Sequence, residues 1–173
     1  MRTAIVSLCA VSALIAVAAE PPRPSPPLTI ERVGAPSVEL SQYRGKVVAL
    51  AFIFTTCSHC QDLTRTLGPL SREYALRGVQ VLECAFNDDA KPTMPEFLQQ
   101  LQPPFPVGWT SRAAAMAYLQ RTILDTTPLY VPRMVFLDRR GIIRADYPGE
   151  SDFMKDPATN IRAELEKLLK VAK

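Results

Sequence analysis

From Val47 to Phe54 every position is apolar, and from Val79 to Phe86 only Gln80 and Glu83 interrupt a second such run. Runs of this length, rich in Val, Ile and Phe, fit strands buried on both faces, which is how parallel sheets read. Between them Leu63, Leu67, Leu70 and Tyr74 recur at spacings of four, three and four, one face of a helix. Gly68-Pro69 interrupts that stripe and predicts a kink or break, and Gly78 closes the unit. Strand, helix and strand in succession predict a right-handed parallel crossover.

Downstream, "TMPEFLQQL" offers Thr93 as a helix N-cap with Pro95 in the first turn, and "SRAAAMAYLQ" offers Ser111 as the cap of an alanine-rich helix. "RMVFLD", then Arg139-Arg140-Gly141, then "IIRADY" reads as a hairpin with a glycine-bearing turn. Asp156-Pro157 opens a last helix whose Ile161, Leu165, Leu168 and Leu169 form an apolar stripe. The order is β-α-β, a helical insertion, then β-β-α. It predicts an α/β fold, a mixed central sheet flanked by helices.

The N-terminus departs from these patterns. Arg2 precedes an uncharged run from Ala4 to Ala19 that ends in small residues, the form of a secretory signal peptide. The run is shorter than the roughly 20 residues of a spanning helix, so residues 1–19 are expected to be removed by cleavage after Ala18 or Ala19; an uncleaved anchor is the alternative. "EPPRPSPP", residues 20 to 27, is too proline-dense for a helix or central strand and reads as a semi-rigid spacer. The expected organisation is a signal at 1–19, a linker at 20–28 and one folded domain at 29–173, because 173 residues with 47% hydrophobic composition support one core.

The net charge of +3 falls by one when Arg2 leaves with the signal, and no dense basic run exists, so nucleic acid is excluded as a partner. Of four cysteines, Cys9 lies in the signal; Cys57, Cys60 and Cys84 remain. In an exported protein an odd count suggests one working pair and one sheltered thiol.

The pair lies in "FIFTTCSHCQDLTR". Strand Val47–Phe54 delivers Cys57 to the end of the sheet and a helix begins near Ser58. Unpaired N–H groups at a helix start favour a thiolate, the nucleophilic form. Cys60, one turn later, can wait as the resolving thiol. His59, the chain's one histidine, adjoins the pair and can add positive character beside Cys57. Zinc is disfavoured because the sequence has no second C-x-x-C and no other histidine. A staple is disfavoured because so small a loop constrains the unfolded chain little.

"LSQYRGKVVALAFIFTTCSHC", "GVQVLECAFND" and "VPRMVFLDRRGIIRADYPG" together resemble the TlpA-like, or ResA-like, branch of thioredoxin-fold thiol-disulfide oxidoreductases from about Ser37 onward. The resemblance implies a thioredoxin-like fold with a helical insertion between its βαβ and ββα halves. It also implies a cis proline at Pro132 beside the disulfide, with Val131 offering its backbone to a peptide substrate. Expected partners are protein thiols or disulfides and a redox partner protein, in the periplasm or elsewhere outside the cytoplasm. A membrane enters only if the leader is retained, and no cofactor or metal is expected.

Three positions depart from the family pattern. Thr56 stands where a tryptophan is common before the first cysteine, Ala51 where many thioredoxins bury an acid, and Leu63 where TlpA-like reductases often place a glutamate. Asp62 and Glu83, the latter set unusually in an apolar strand, are the remaining candidates for proton handling, although each reads first as a rim charge or a solvated strand end. The direction of electron transfer stays open between reductase and oxidase or isomerase. Competing classes are a Sco-like copper carrier, which needs a distal histidine, a peroxidase, which needs a threonine where Phe54 stands, and a redox-silent thioredoxin-like binding module. Cys84, Trp109 and Tyr118 read as packing, and Arg133 as a strand arginine facing water.

Overall fold

The structure is a computed structural model that describes residues 20–122, 124–126 and 128–170. The expected signal, residues 1–19, lies outside the described residues. The strands are β1 (Arg23–Pro24), β2 (Thr29–Ile30), β3 (Val38–Glu39), β4 (Val47–Ile53), β5 (Val79–Ala85), β6 (Val107–Trp109), β7 (Arg133–Leu137) and β8 (Ile142–Tyr147). The helices are α1 (Ser58–Ala75), α2 (Ala90–Leu101), α3 (Arg112–Tyr118) and α4 (Pro157–Lys170). Six strands form one sheet in the order β1-β8-β7-β4-β5-β6, while β2 and β3 pair apart from it.

The two apolar runs are the parallel pair β4 and β5 at the centre, and β7 lies antiparallel on the other side of β4. Every residue of β4 is buried because both faces of the sheet are covered. Val47, Ala49, Ala51 and Ile53 face a core shared with α1, α2 and α4. Val48, Leu50 and Phe52 face a second core built with Ala115 and Tyr118 of α3 and with Leu28, Ile30 and Val38 of the N-terminal segment. This is the mixed, helix-covered sheet that the element order implied, in the thioredoxin-like arrangement that the resemblance implied.

Of the kink or break expected at Gly68-Pro69, the break does not occur: the helix is continuous from Ser58 to Ala75. A proline inside a helix costs ~3 kcal/mol where it strips a carbonyl of its partner. Here Pro69 and Arg65, the residue whose carbonyl loses that bond, are both exposed, so water can take the donor's place. Leu63, Leu67, Leu70 and Tyr74 bury the opposite face as the spacing predicted.

Thr93 is not an N-cap. α2 starts three residues earlier, after Asp89, and Thr93 lies within the helix. Pro92 fell inside the unpaired first turn, where a missing N–H costs nothing, so the true start was masked by a second proline. Ser111 does cap α3, its Oγ accepting the Ala114 N–H at 3.1 Å, and the Asp156 carboxylate accepts the Thr159 N–H at the start of α4.

The stretch read as a spacer is part of the sheet. Arg23 and Pro24 pair with Ile143 and Ile142 of β8, on an edge strand, where a proline is tolerated. The Arg23 side chain is buried, 3.8 Å from Asp146. Asp146 also binds Arg133 at 2.6 Å, so Arg133 turns inward rather than to water. The β7–β8 hairpin forms as expected, with Gly141 at φ 71°, a conformation a β-branched residue would resist.

Candidate redox site

β4 ends at Ile53, and the chain turns through Thr55 and Thr56, closed by the Cys57 N–H donating to the Phe54 carbonyl at 3.2 Å. Cys57 is the N-cap of α1, with extended backbone (φ −87°, ψ 119°). Its Sγ accepts the Cys60 N–H at 3.3 Å, taking the place a serine or aspartate oxygen holds at other helix starts. A donor aimed at sulfur from a helix N-terminus complements negative charge there.

Cys60 is fully buried, and its Sγ accepts the Phe54 N–H at 3.5 Å. Burial above all, then the hydrogen bond with Cys57, pushes its thiol far above the ordinary range, against the pull of the Phe54 N–H. The negative charges of Cys57 and Glu83 add to the rise. Both cysteines are free thiols. The two sulfurs are therefore unequal: Cys57 is half-buried at the surface and Cys60 is concealed behind it.

His59 is exposed on the first turn of α1. It borders a groove of about 340 Å³ that Val131, Pro132, Leu63, Gly149 and Met154 also line. The Val131–Pro132 peptide bond is cis, as the resemblance implied. The residues expected at the site, Cys57, Cys60, His59, Val131 and Pro132, thus come together at one end of the sheet.

Gly149 was missed by sequence reasoning, because Pro148-Gly149 after a strand reads as an ordinary turn. A Cβ at Gly149 would lie 3.0 Å from the Pro132 carbonyl oxygen and 3.1 Å from that of Val131, closer than ordinary contact. Glycine is what permits so close an approach to this peptide.

Glu83 is fully buried within β5. The Thr64 hydroxyl lies 3.0 and 3.1 Å from its two carboxyl oxygens and 3.0 Å from the Cys60 carbonyl. One hydroxyl cannot repay the several kcal/mol of desolvating a carboxylate. Its pKa is accordingly pushed up by burial to about 8, against the lowering effect of Thr64. Asp62, the other proton-handling candidate, is exposed and paired with Arg65 at 2.9 Å. Cys84 lies in the core on the far side of the sheet from Cys60, so it is packing, as read, and cannot meet the pair. Among the described residues no group of three His, Cys, Asp or Glu side chains gathers as metal ligands do.

Comparison with known proteins follows the same lines. The Redoxin family model matches residues 24–161. A comparison with curated proteins finds no match. Among solved structures, a thiol:disulfide interchange protein from Bacteroides sp. superposes with a TM-score of 0.69 at 17% identity, over 91% of this chain and 95% of its own. A thiol:disulfide interchange protein of the thioredoxin family from Chlorobium tepidum gives a TM-score of 0.68 at 18% identity, over 88% and 99%. The thioredoxin domain of a thiol-disulfide oxidoreductase from Bacteroides vulgatus gives 0.65 at 16%, over 83% and 96%. At these identities the likeness is one of fold. With the family match spanning most of the sequence and two unequal thiols set one helical turn apart on a thioredoxin-like fold, the chain belongs to the Redoxin family.

Proposed function

We propose that the protein exchanges disulfides with protein thiols outside the cytoplasm, with Cys57 as the exchanging sulfur and Cys60 as the resolving one. The observation that carries this reading is the inequality of the pair: a half-buried Sγ at a helix N-terminus, hydrogen-bonded to the backbone of a concealed partner.

In one direction a substrate thiolate attacks Cys57 Sγ of the oxidised protein. The Cys57–Cys60 bond breaks, and Cys60 leaves as a thiolate that takes up a proton. A second substrate thiolate then attacks the mixed disulfide at the substrate sulfur, releasing Cys57 as thiolate and the substrate as disulfide. In the other direction the Cys57 thiolate attacks a substrate disulfide, breaking its S–S bond and releasing one substrate thiolate; Cys60 then gives up its proton and attacks Cys57 Sγ, expelling the second. Glu83 is the carboxyl group whose charge couples to Cys60 and which gains a proton near neutrality. It serves as proton donor in the first direction and acceptor in the second. The groove beside His59, Val131 and Pro132 receives the substrate chain. Export rests on the apolar leader at residues 1–19.

Equilibration of purified protein with glutathione buffers tests the exchange. Wild type should form an intramolecular disulfide, Cys60→Ser should accumulate a mixed disulfide at Cys57, and Cys57→Ser should form neither. Exchange that persists in Cys57→Ser would overturn the assignment. Cell fractionation of the full chain, with N-terminal sequencing of the product, tests export; a cytoplasmic full-length product would refute it.

A further inference from the structure

Thr55, two residues before Cys57, is buried, with 3% of its surface exposed, in a turn that faces solvent on its next residue. Each of its polar groups is bound by a side chain from a different part of the fold. Its N–H donates to Asn87 Oδ1 at 3.1 Å. Its carbonyl accepts Gln61 Nε2 of α1 at 3.0 Å. Its hydroxyl meets Asn87 Nδ2 at 2.8 Å and Thr93 Oγ1 of α2 at 2.6 Å.

The directions of these bonds follow from their partners. Thr93 Oγ1 lies 2.7 Å from the Asp89 carbonyl, which can only accept, so Thr93 donates there. Its oxygen then accepts from the Thr55 hydroxyl, whose own oxygen accepts from the Asn87 amide. The other Asn87 amide hydrogen goes to Asp89 Oδ1 at 2.7 Å. The chain Asn87, Thr55, Thr93, Asp89 is thus a one-way relay with every hydrogen assigned, the arrangement in which a polar cluster holds one geometry.

Parallel pairing explains how Asn87 reaches the turn. β4 and β5 end side by side, Ile53 opposite Ala85, and the Phe86 N–H still donates to the Ile53 carbonyl at 3.2 Å. Asn87 is the next residue, beside the turn that leads from β4 to Cys57.

Resting on the exchange reading above, we infer that Asn87 and Thr93 are positioning residues for Cys57: they lock Thr55 and so fix where the attacking sulfur sits on the N-terminus of α1. The insertion that carries α2 thereby has a task at the redox site, although none of its residues belongs to the cysteine pair. Freed from the latch, the turn samples positions in which Cys57 Sγ no longer meets the Cys60 N–H, and its reactivity falls.

Alkylation of Cys57 by iodoacetamide at neutral pH, measured in a Cys60→Ser background, reports that position directly. Asn87→Ala and Thr93→Val should each slow it about three- to tenfold, and with Cys60 restored should shift the equilibrium with glutathione toward the disulfide by a similar factor, about 15 to 30 mV. Thr93→Ser, which keeps the hydroxyl, should restore both. Leu119→Ala, destabilising in the opposite core, should lower the melting temperature and leave the alkylation rate unchanged. Folded Asn87→Ala and Thr93→Val proteins that alkylate at the wild-type rate would overturn the inference, and Thr93→Val alone decides it if Asn87→Ala does not fold. Alkylation needs no disulfide partner, so a wild type that fails to equilibrate with glutathione would refute the exchange reading while leaving this test standing.

Discussion

Ala51 and Glu83 are register partners across the parallel β4–β5 pair, so the buried carboxyl group stands one strand away from the position where the resemblance would place an acid. Val107 of β6 flanks it on the other side and is apolar. Among the described groups packed around it, Cys60 of α1 is the titratable one whose charge couples to it. A small residue at 51 leaves room for the longer glutamate beside it.

Stability should carry the mark of that carboxyl. Its pKa rises from 4.5 to about 8 on folding, so between those values the native state holds a proton the unfolded chain has lost. Unfolding free energy should therefore fall as pH rises from about 5 to 8, by up to ~1.4 kcal/mol per unit. Glu83→Gln, which keeps the shape and stays neutral, should flatten that slope and be the more stable protein above pH 8. Urea unfolding at several pH values measures this; parallel slopes for the two proteins would contradict it.

Loss of His59 should make the disulfide a weaker oxidant. The ring is exposed, so its influence on the neighbouring pair is screened and modest. His59→Ala is expected to shift the glutathione equilibrium about threefold toward the disulfide, about 15 mV. An unchanged or raised potential would remove the histidine from the site.

Gly149→Ala should impair protein substrates more than small thiols. The added methyl group crowds the carbonyls of Val131 and Pro132 at 3.0 to 3.1 Å, on the wall of the groove a polypeptide would occupy, while Cys57 itself is not covered by it. A severalfold rise in KM for a protein disulfide, with a smaller effect on glutathione, is the expected outcome. Equal effects on both would place the substrate chain elsewhere.

Asp146→Ala should be severely destabilising, by about 3 kcal/mol, because it strands buried Arg23 beside half-buried Arg133. Asp62→Ala removes an exposed pair with Arg65 and should cost at most ~0.5 kcal/mol. Thermal unfolding of the two variants makes the comparison, and similar losses would show that the inner cluster is dispensable.

The central strands, α1, the hairpin and α4 were legible in the sequence because burial on two faces, on one stripe or in a glycine turn each leaves a periodic trace. The cysteine pair was legible because its spacing and its place after an apolar strand are local. Pro69 misled because a helix-breaking residue was weighed without its place opposite the apolar stripe, where water can replace the lost donor. Thr93 misled because its hydroxyl answers to Thr55, 38 residues away. Glu83 looked out of place and was; only the strand register reveals what it stands behind. Asn87 carried no signal, since an asparagine after a strand is what any loop would supply.

Cys84 and Cys60 line the two separate cores, with the central strands between them. An oxidising compartment can join three thiols in three ways, but the backbone wall leaves only one of those pairings within reach. On the proposed reading, exchange at Cys57 and Cys60 runs without a dead-end crosslink to Cys84, so that thiol, the third among the described residues, carries no penalty.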